Sequence, residues 1–234
     1  MPEAGWRREA ATACGAIARR HGWKLVLLFA GMLLPMWAFL ELADEVHEGE
    51  PIPFDLPLLH FAQAIAGDGL DGVFLVVSEL GYGWGVVPGD VLLVLVLLVR
   101  RRWRQAAFAA VATAGSGLLN VATKHLFARA RPDLWESIAP QSTYSFPSGH
   151  AMGSMTLALV LVLLAWPTRA RWWVVAAMAA FVPLVGLSRV YLGVHYPSDI
   201  LGGWAAASIW VVGTWLLLMR GERDGTARHA AQRR

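Results

Sequence analysis

Six side chains that could take part in catalysis lie in three short segments of this 234-residue chain. They are Lys124, Arg129, Arg131, His150, Arg189 and His195. Two histidines can serve as a neutral nucleophile and a protonated acid near neutral pH, because the reference pKa of imidazole is about 6.5. Several cations facing one pocket favour a multivalent anion. These residue types therefore predict chemistry on an anionic group.

The first segment places two cations on one face of a predicted helix. Lys124 and Arg131 are seven residues apart, which is about two helical turns. Pro132 would then end the helix, because the residue before a proline avoids helical backbone angles. Arg129 would face elsewhere and contact a loop or lipid. Charges at a membrane boundary are expected to be functional; the alternative is that they only reach toward lipid phosphates.

The second segment, Phe146-Pro147-Ser148-Gly149-His150, precedes a predicted helix. Ser148 is expected to cap that helix, and Gly149 would let a ligand approach the backbone closely. The free N–H groups and the positive dipole end of a helix favour an anion. A serine and a glycine also begin many helices that bind nothing, so this segment is informative only together with the other two.

The third segment runs from Ser188 to Asp199 and contains Arg189 and His195. Asp199 follows His195 by four residues and lies with Pro197 in the first turn of a predicted helix, so its carboxylate could reach back to the imidazole. A carboxylate on one ring nitrogen fixes the tautomer and leaves the other nitrogen as nucleophile or base. Alternatively, Asp199 only complements the helix dipole.

A zinc site formed by His150, His195 and Asp199 is a further alternative, because these are zinc-ligand types. The same segments carry three or four cations and few carboxylates, which would repel a divalent metal ion and neutralise a phosphate. The single cysteine, Cys14, excludes an intramolecular disulfide and a cysteine-based zinc site. We therefore expect no metal and no cofactor.

The elements that must position these residues are apolar. The chain is 56% hydrophobic and 16% charged, which excludes an ordinary cytosolic domain. We predict an all-α, polytopic membrane bundle of about six transmembrane helices over residues 23–219. The predicted spans are Trp23–Leu40, a span from near Tyr82 to Val99 that Pro88, Gly89 and Asp90 interrupt, Gln105–Thr123, Ala151–Trp166, Trp172–Leu187 and Ile200–Met219. The segment Asp55–Ala66 has near-helical spacing and is expected at the membrane interface.

Charge gives the orientation. Sixteen of the twenty bases fall on alternate ends of the spans, which predicts that those ends are cytoplasmic. Residues 1–22 would be a cytoplasmic segment and residues 220–234 a disordered cytoplasmic tail, while 41–70, 124–148 and 188–198 would face outward. A cleaved signal peptide is the alternative for the first span. The bases do not cluster on one soluble face, so we expect no nucleic-acid partner.

The three segments also carry a family resemblance. The motifs are Lys124-x6-Arg131-Pro132, Pro147-Ser148-Gly149-His150 and Ser188-Arg189-x5-His195-x3-Asp199. Together they resemble the three-part signature of the type 2 phosphatidic acid phosphatase (PAP2) superfamily, in order and without substitution. The resemblance implies a metal-independent phosphoesterase with a helical-bundle core.

The resemblance further implies a role for each motif residue. His195 would be the nucleophile that forms a phosphohistidine, and Asp199 would orient it. His150 would protonate the leaving oxygen and then activate water. The phosphoryl oxygens would be held by Lys124, Arg131, Ser148, the Gly149 amide and Arg189.

The sequence thus predicts an integral membrane phosphatase, of the kind found in a bacterial plasma membrane, with an extracytoplasmic site. Its substrate would be a lipid phosphate or diphosphate, such as phosphatidic acid, phosphatidylglycerol phosphate or undecaprenyl diphosphate. Trp135, Ile138, Tyr144 and Phe146 could receive the lipid chains or be ordinary interfacial anchors. The alternatives are a lipid phosphotransferase with the same site, a non-enzymatic anion transporter and an inactive lipid-binding scaffold.

Overall fold

The computed structural model describes residues 28–219 together with Gly22, Leu25 and Val26, and only the backbone of Asp68. Within this part of the chain all regular structure is helical, as the sequence predicts. A π-helical turn, Phe29–Leu33, leads into a series of α-helices. They are α1 (Leu34–Glu48), α2 (Asp55–Ala64), α3 (Asp68–Leu80), α4 (Val86–Val99), α5 (Trp103–Phe127), α6 (Gly149–Ala165), α7 (Arg171–Tyr191) and α8 (Pro197–Leu218).

Three of these helices are long and apolar enough to cross a membrane, namely α5, α7 and α8, with 25, 21 and 22 residues. The apolar helices α4 and α6 are shorter. The last four predicted spans correspond to α5–α8, and their ends differ from the observed helix ends by at most four residues. The helical class is confirmed, and the number of six spans remains a prediction.

The first predicted span lies partly outside the described residues, because Trp23 and Lys24 are not among them. From Leu28 the chain is helical and α1 runs to Glu48, eight residues past the predicted end. Gly49 stops the helix with a φ of 73°, a left-handed conformation that glycine adopts without strain. Apart from Gly22, the predicted segments 1–22 and 220–234 also lie outside the described residues.

The second predicted span starts later than near Tyr82. A turn covers residues 81–85, and α4 begins at Val86. Pro88 therefore lies in the first turn of α4, where its missing N–H removes no helical hydrogen bond. Pro88, Gly89 and Asp90 begin this helix and do not interrupt it, contrary to the prediction.

The core lies between α5, α6 and α8. Phe108, Val160 and Val211, one from each helix, are completely buried in a single cluster. Small residues let these helices approach closely: a Cβ added to Gly115 of α5 would lie 2.2 Å from the ring of Trp210 on α8. The hydroxyls of Ser116 and Thr156 share a hydrogen bond of 2.8 Å between α5 and α6.

The segment that opens α6 lies directly against α8. A Cβ added to Gly202 would lie 2.4 Å from the ring of Phe146, and one added to Gly203 would lie 2.8 Å from the carbonyl oxygen of Ser148. The close approach therefore requires glycine at both positions. It holds the second motif against the first turn of α8, which carries the end of the third motif.

Helices α2 and α3 cover the ends of α7 and α8. The expected helix in 55–66 is α2, whereas α3 was not predicted. The hydroxyl of Tyr191, at the end of α7, donates to Asp71 of α3 at 2.6 Å. The ring of Phe74 stacks on the Tyr191 ring at 4.1 Å. These contacts fix α3 beside the end of α7, where Arg189 lies.

Candidate active site

The cationic and imidazole side chains of the three motifs converge at one end of the bundle. His150 lies at the start of α6. Its imidazole ring interacts electrostatically with four cationic or imidazole groups. These groups are Arg189, His195, Arg131 and Lys124. They come from the ends of α5 and α7 and from the loops that follow, so the fold brings together residues up to 71 positions apart.

His195 and Asp199 form a buried pair. Nδ1 of His195 lies 3.2 Å from Oδ2 of Asp199, and the two residues are 2% and 0% exposed. Nε2 of His195 lies 3.2 Å from Nη1 of Arg131. A guanidinium only donates, so Nε2 is the acceptor and the ring proton is on Nδ1. The lone pair that a nucleophile needs is therefore on Nε2.

The environment keeps the His195 ring neutral. Burial lowers its pKa from 6.5 to about 3, and the charges of Arg131 and Arg189 act in the same direction, while Asp199 opposes them. An imidazole without a proton on Nε2 is the form that can attack phosphorus. The site therefore maintains the reactive form over the whole physiological pH range.

Lys124 and Arg131 hold the same stretch of backbone. Nζ of Lys124 donates to the carbonyl oxygen of Tyr144. Arg131 donates from Nε to the carbonyl oxygen of Thr143 at 2.6 Å and from Nη1 to that of Val194 at 2.5 Å. These bonds place Arg131 next to His195, and Lys124 donates to the same stretch of backbone as Arg131.

The two cations do not share a helix face, as the spacing predicted. Helix α5 ends at Phe127, and Ala128 has a left-handed φ of 45°. Arg131 therefore lies in the following loop, and the turn at Ala128 brings it back beside Lys124. Both side chains donate to the carbonyl oxygen of Tyr144, but the two residues do not lie on one helix as the spacing predicted.

Arg189 and Ser148 carry buried polar atoms without a partner. Arg189 is 1% exposed, and its Nη1 donates to the hydroxyl of Ser78. Its Nε and Nη2, and the hydroxyl of the fully buried Ser148, have no hydrogen-bond partner among the described residues. An unsatisfied buried donor costs about 1–3 kcal/mol. A bound oxyanion would satisfy all three donors.

Ser148 has the N-cap position of α6, but its hydroxyl makes no capping bond. Its backbone N–H donates to the carbonyl oxygen of Asp199 at 3.0 Å. The expected capping role of the side chain is therefore wrong, and the hydroxyl remains available for a ligand. Asn120, which the sequence did not indicate, donates to the carbonyl oxygen of Pro147 at 3.1 Å. A Cβ on Gly149 would lie 3.0 Å from the Asn120 amide oxygen, so the backbone is tightly held there.

His150 stacks on Tyr82, with ring centroids 4.9 Å apart and 30° between the planes. Tyr82 lies in the turn between α3 and α4, and Ser78, the partner of Arg189, lies near the end of α3. The unpredicted helix α3 and the turn that follows it therefore contact two of the motif side chains. No periodicity in the sequence connects these residues.

Arg129 lies 4.1 Å from the ring of Tyr196 in the loop before α8, and it also binds two carboxylates that the prediction did not include. Its Nη1 donates to Oδ1 of Asp199 at 2.6 Å, and its Nη2 donates to Oδ2 of Asp55 at 2.9 Å. The hydroxyl of Ser145 donates to the other oxygen of Asp199 at 2.5 Å. The sequence analysis missed Asp55 and Ser145 entirely. The only available signal was the ten acids and no bases in residues 41–90, which indicates that these acids need partners elsewhere.

The four apolar residues expected near the lipid chains differ in their burial and packing. Phe146 is fully buried and packs against Phe39 at a ring distance of 5.8 Å, so its predicted contact with lipid is wrong. Trp135 lies against Gly193, where a Cβ would be 2.5 Å from the indole ring. Ile138 and Tyr144 remain 54% and 42% exposed beside the site.

The described residues contain no group of three His, Cys, Asp or Glu side chains placed to hold a metal ion together. The side chains that converge are instead hydrogen-bond donors and cations around the neutral imidazole of His195. They are the Arg189 guanidinium with two unpartnered nitrogens, the unpartnered Ser148 hydroxyl, and the cations of Lys124 and Arg131. This arrangement is typical of phosphoryl-transfer sites, where catalysis depends on positioning and charge stabilisation.

Comparison with known proteins identifies the family. Residues 105–223 match the family model of the PAP2 superfamily. The chain is 30% identical over 164 residues to an undecaprenyl-diphosphatase of Sulfolobus acidocaldarius, covering 67% of this chain and 72% of that protein. It is 28% identical over 172 residues to phosphatidylglycerophosphatase B of Bacillus subtilis, covering 71% and 84% of the two chains. The chain belongs to the PAP2 superfamily and is a hydrolase of phosphate esters.

A solved structure shares the fold. The crystal structure of a transmembrane PAP2-type phosphatidylglycerolphosphate phosphatase from Bacillus subtilis matches with a TM-score of 0.72. The match covers 82% of this chain and 97% of that one, at 24% sequence identity. The helical membrane-phosphatase fold is thus common to both proteins.

Proposed function

We propose that this protein removes phosphate from a lipid phosphate or diphosphate through a phosphohistidine on Nε2 of His195. The observation that carries the proposal is the orientation of His195. Its Nδ1 faces Asp199, whereas its Nε2 faces the guanidinium of Arg131 at 3.2 Å. The nucleophilic atom thus points toward the cations that would hold the phosphoryl group.

In the first step, the lone pair on Nε2 forms a bond to phosphorus. The bond from phosphorus to the lipid oxygen breaks, and His150 supplies a proton to that oxygen as it leaves. Burial and the neighbouring cations lower the pKa of His150, so the negative charge of the bound phosphate is what would keep this ring protonated. In the second step, neutral His150 takes a proton from water while the water oxygen attacks phosphorus. The bond between Nε2 and phosphorus breaks, its electron pair returns to Nε2, and inorganic phosphate is released.

The other motif residues would stabilise charge in both steps. Lys124, Arg131 and Arg189 would face the phosphoryl oxygens, together with the Ser148 hydroxyl and the Gly149 amide. The unpartnered atoms of Arg189 and Ser148 support this assignment. Donors arranged in advance act strongly because the site needs no reorganisation during the reaction, and the loss of one typically lowers the rate by about 10²–10³-fold.

The proposed position of the site supports a lipid substrate. We infer that six spans cover residues 23–219 with both termini cytoplasmic, so that the site opens at the outer face of the membrane. The exposed side chains of Ile138 and Tyr144 beside the site would contact the lipid chains. Relatives named for undecaprenyl diphosphate and phosphatidylglycerol phosphate make these two lipids, with phosphatidic acid, the first substrates to test.

The test is phosphate release by the purified full-length protein in detergent from a panel of these three lipids. We expect release from at least one lipid, inhibition by vanadate and little effect of a chelator. His195→Ala should abolish release, while the exposed His60→Ala serves as a matched control and should not. Substantial turnover by the His195→Ala protein, or no release from any lipid phosphate, would contradict the proposal.

A further inference from the structure

Arg129 joins two carboxylates behind the His195 ring. Its Nη1 donates to Oδ1 of Asp199 at 2.6 Å and its Nη2 to Oδ2 of Asp55 at 2.9 Å. The guanidinium also lies 4.1 Å from the centre of the Tyr196 ring. Asp55 lies outside the three motifs, and Arg129 occupies an unspecified position of the first motif. They nevertheless form a continuous chain of contacts from α2 to the imidazole.

All three groups are shielded from water. The side chains of Asp55 and Asp199 are 3% and 0% exposed, and that of Arg129 is 15% exposed. Their charges therefore interact strongly and are poorly screened by salt. Two carboxylates and one guanidinium leave one net negative charge behind His195.

We propose that Asp55 and Arg129 are positioning residues for the nucleophile. Arg129 fixes the Asp199 carboxylate so that Oδ2 faces Nδ1 of His195. Asp55 offsets the charge of Arg129, so that Asp199 keeps its full effect on the imidazole. This inference rests on the function proposed above.

The charge matters when the phosphohistidine forms. As Nε2 bonds to phosphorus, the ring keeps the proton on Nδ1 and gains a positive charge. Asp199 accepts the hydrogen bond from Nδ1 without taking the proton. Without Asp55, the nearby positive charge of Arg129 would cancel that of Asp199, and the phosphorylated ring would lose its compensating charge.

Asp55 also has contacts that are structural. Its Oδ1 accepts from the backbone N–H of Ser198 at 2.9 Å, and its Oδ2 accepts from the Ser198 hydroxyl at 2.5 Å. These bonds satisfy the first turn of α8. A useful test must therefore separate the charge on Asp55 from its contacts with Ser198.

Asp55→Asn provides this separation, because the amide keeps the size of the side chain and an oxygen acceptor but removes the charge. Ser198→Ala removes the hydroxyl, which donates to Oδ2 of Asp55 at 2.5 Å and accepts from Nη1 of Arg129 at 2.8 Å, and it keeps the charges of both partners. Glu50→Gln is the charge-matched control, since Glu50 is an exposed acid in the same cleft as Asp55 and Arg129. Arg129→Gln removes the guanidinium that connects Asp55 to Asp199.

We expect Asp55→Asn and Arg129→Gln to lower kcat about 10–100-fold with little change in KM. Ser198→Ala and Glu50→Gln should remain within about threefold of wild type. In rapid-quench experiments, Asp55→Asn should slow formation of the phosphohistidine more than its hydrolysis, because only formation places positive charge on the ring. A general structural defect would slow both steps together.

The double variant Asp55→Asn with Arg129→Gln tests whether Asp55 acts through Arg129. Its kcat should equal that of Arg129→Gln alone, because Asp55 has no charge to offset once the guanidinium is gone. If the two losses multiply instead, the residues act independently and the proposal is wrong.

The outcomes separate this inference from the proposed function. If wild type releases phosphate and His195→Ala does not, but Asp55→Asn or Arg129→Gln retains wild-type kcat, only the positioning role is overturned. If Asp55→Asn does not fold, as judged by gel filtration in detergent, the kcat of Arg129→Gln alone tests the positioning role. If wild type is inactive on every lipid, the proposed function fails first.

Discussion

Nη1 of Arg131 lies 3.2 Å from Nε2 of His195 and also donates to the carbonyl oxygen of Val194 at 2.5 Å. The same guanidinium therefore touches the proposed nucleophilic atom and the loop that carries it. A phosphoryl group bonded to Nε2 would bring an oxygen within reach of this nitrogen. Arg131 thus connects the orientation of the imidazole with the recognition of its product.

The first prediction concerns Arg189 and the Ser78 hydroxyl, to which its guanidinium donates. Arg189→Gln should lower kcat/KM about 10²–10³-fold, because it removes the two unpartnered donors. Ser78→Ala removes only the hydroxyl that orients the guanidinium, so its loss should be about tenfold. Phosphate-release kinetics on the best lipid substrate measure both effects. Equal activities of wild type and Arg189→Gln would exclude Arg189 from the phosphate site.

The second prediction concerns the buried hydroxyl of Ser148. Ser148→Ala should raise the free energy of unfolding by about 1 kcal/mol, because it removes a buried group that has no partner. It should also lower kcat/KM about 10–100-fold, because a donor to the phosphoryl group is lost. Thermal unfolding in detergent and steady-state kinetics measure the two effects. Opposite signs for stability and activity distinguish a binding role from a structural one.

Thr156→Ala is the matched control for Ser148→Ala. Its hydroxyl is bonded to Ser116 at 2.8 Å within the bundle. We expect a loss of about 1 kcal/mol in stability and little effect on kcat/KM. A stability loss in Ser148→Ala as large as that in Thr156→Ala would show that the Ser148 hydroxyl has a partner in the folded protein.

The third prediction concerns the contact between α8 and the segment before α6. Gly203→Ala places a Cβ 2.8 Å from the carbonyl oxygen of Ser148. The backbone of Ser148 and Gly149 must then move, so activity should fall more than tenfold and the protein should be destabilised by about 1–3 kcal/mol. Activity and thermal unfolding should be measured on the same preparation.

Gly213→Ala, on the same helix, provides the control. Apart from the adjoining backbone of the same helix, no atom of the described residues lies within 4 Å of a Cβ added there. Alanine should stabilise α8 by up to about 1 kcal/mol because it has the higher helix propensity, and activity should not change. If Gly203→Ala behaves like Gly213→Ala, the close approach does not position the site.

The fourth prediction concerns pH. The pKa of His195 falls from 6.5 to about 3 on folding, mainly through burial. As the pH decreases through this interval, the unfolded chain binds a proton at this position that the folded chain does not, so folding stability decreases. His195→Gln removes this contribution and should show a weaker decline in thermal midpoint between pH 6.5 and 4. Parallel declines in the two proteins would contradict a lowered pKa.

Much of the fold could be predicted because the hydrophobic pattern determines it. The apolar runs of α5–α8 are long, and their ends are indicated by charges, prolines and glycines. The contact between His195 and Asp199 was also predictable, since Asp199 follows His195 by only four residues and lies in the first turn of α8. Helix α3 was not predicted, because its first residues belong to the acidic segment 41–70 and its apolar run, residues 73–77, is too short to indicate a membrane span.

The remaining part of the site depends on contacts between distant residues. Asp55 lies 74 positions from Arg129 in the chain, and no periodicity connects two such positions. Arg129 was expected to face away from Arg131, but that reasoning assumed a helix that ends before either residue. The burial of Phe146 likewise depends on Gly202, which is a packing partner that only the three-dimensional fold provides.

The contacts of α2 and α3 bear on how small an active fragment could be. All three motifs lie between Lys124 and Asp199, so a chain shortened to begin at α5 would retain every residue of the signature. It would lack Asp55, Ser78 and Tyr82, which contact Arg129, Arg189 and His150. Such a fragment would contain the proposed catalytic groups without the side chains that contact two of the arginines and one of the histidines. We therefore expect the signature alone to be insufficient for activity.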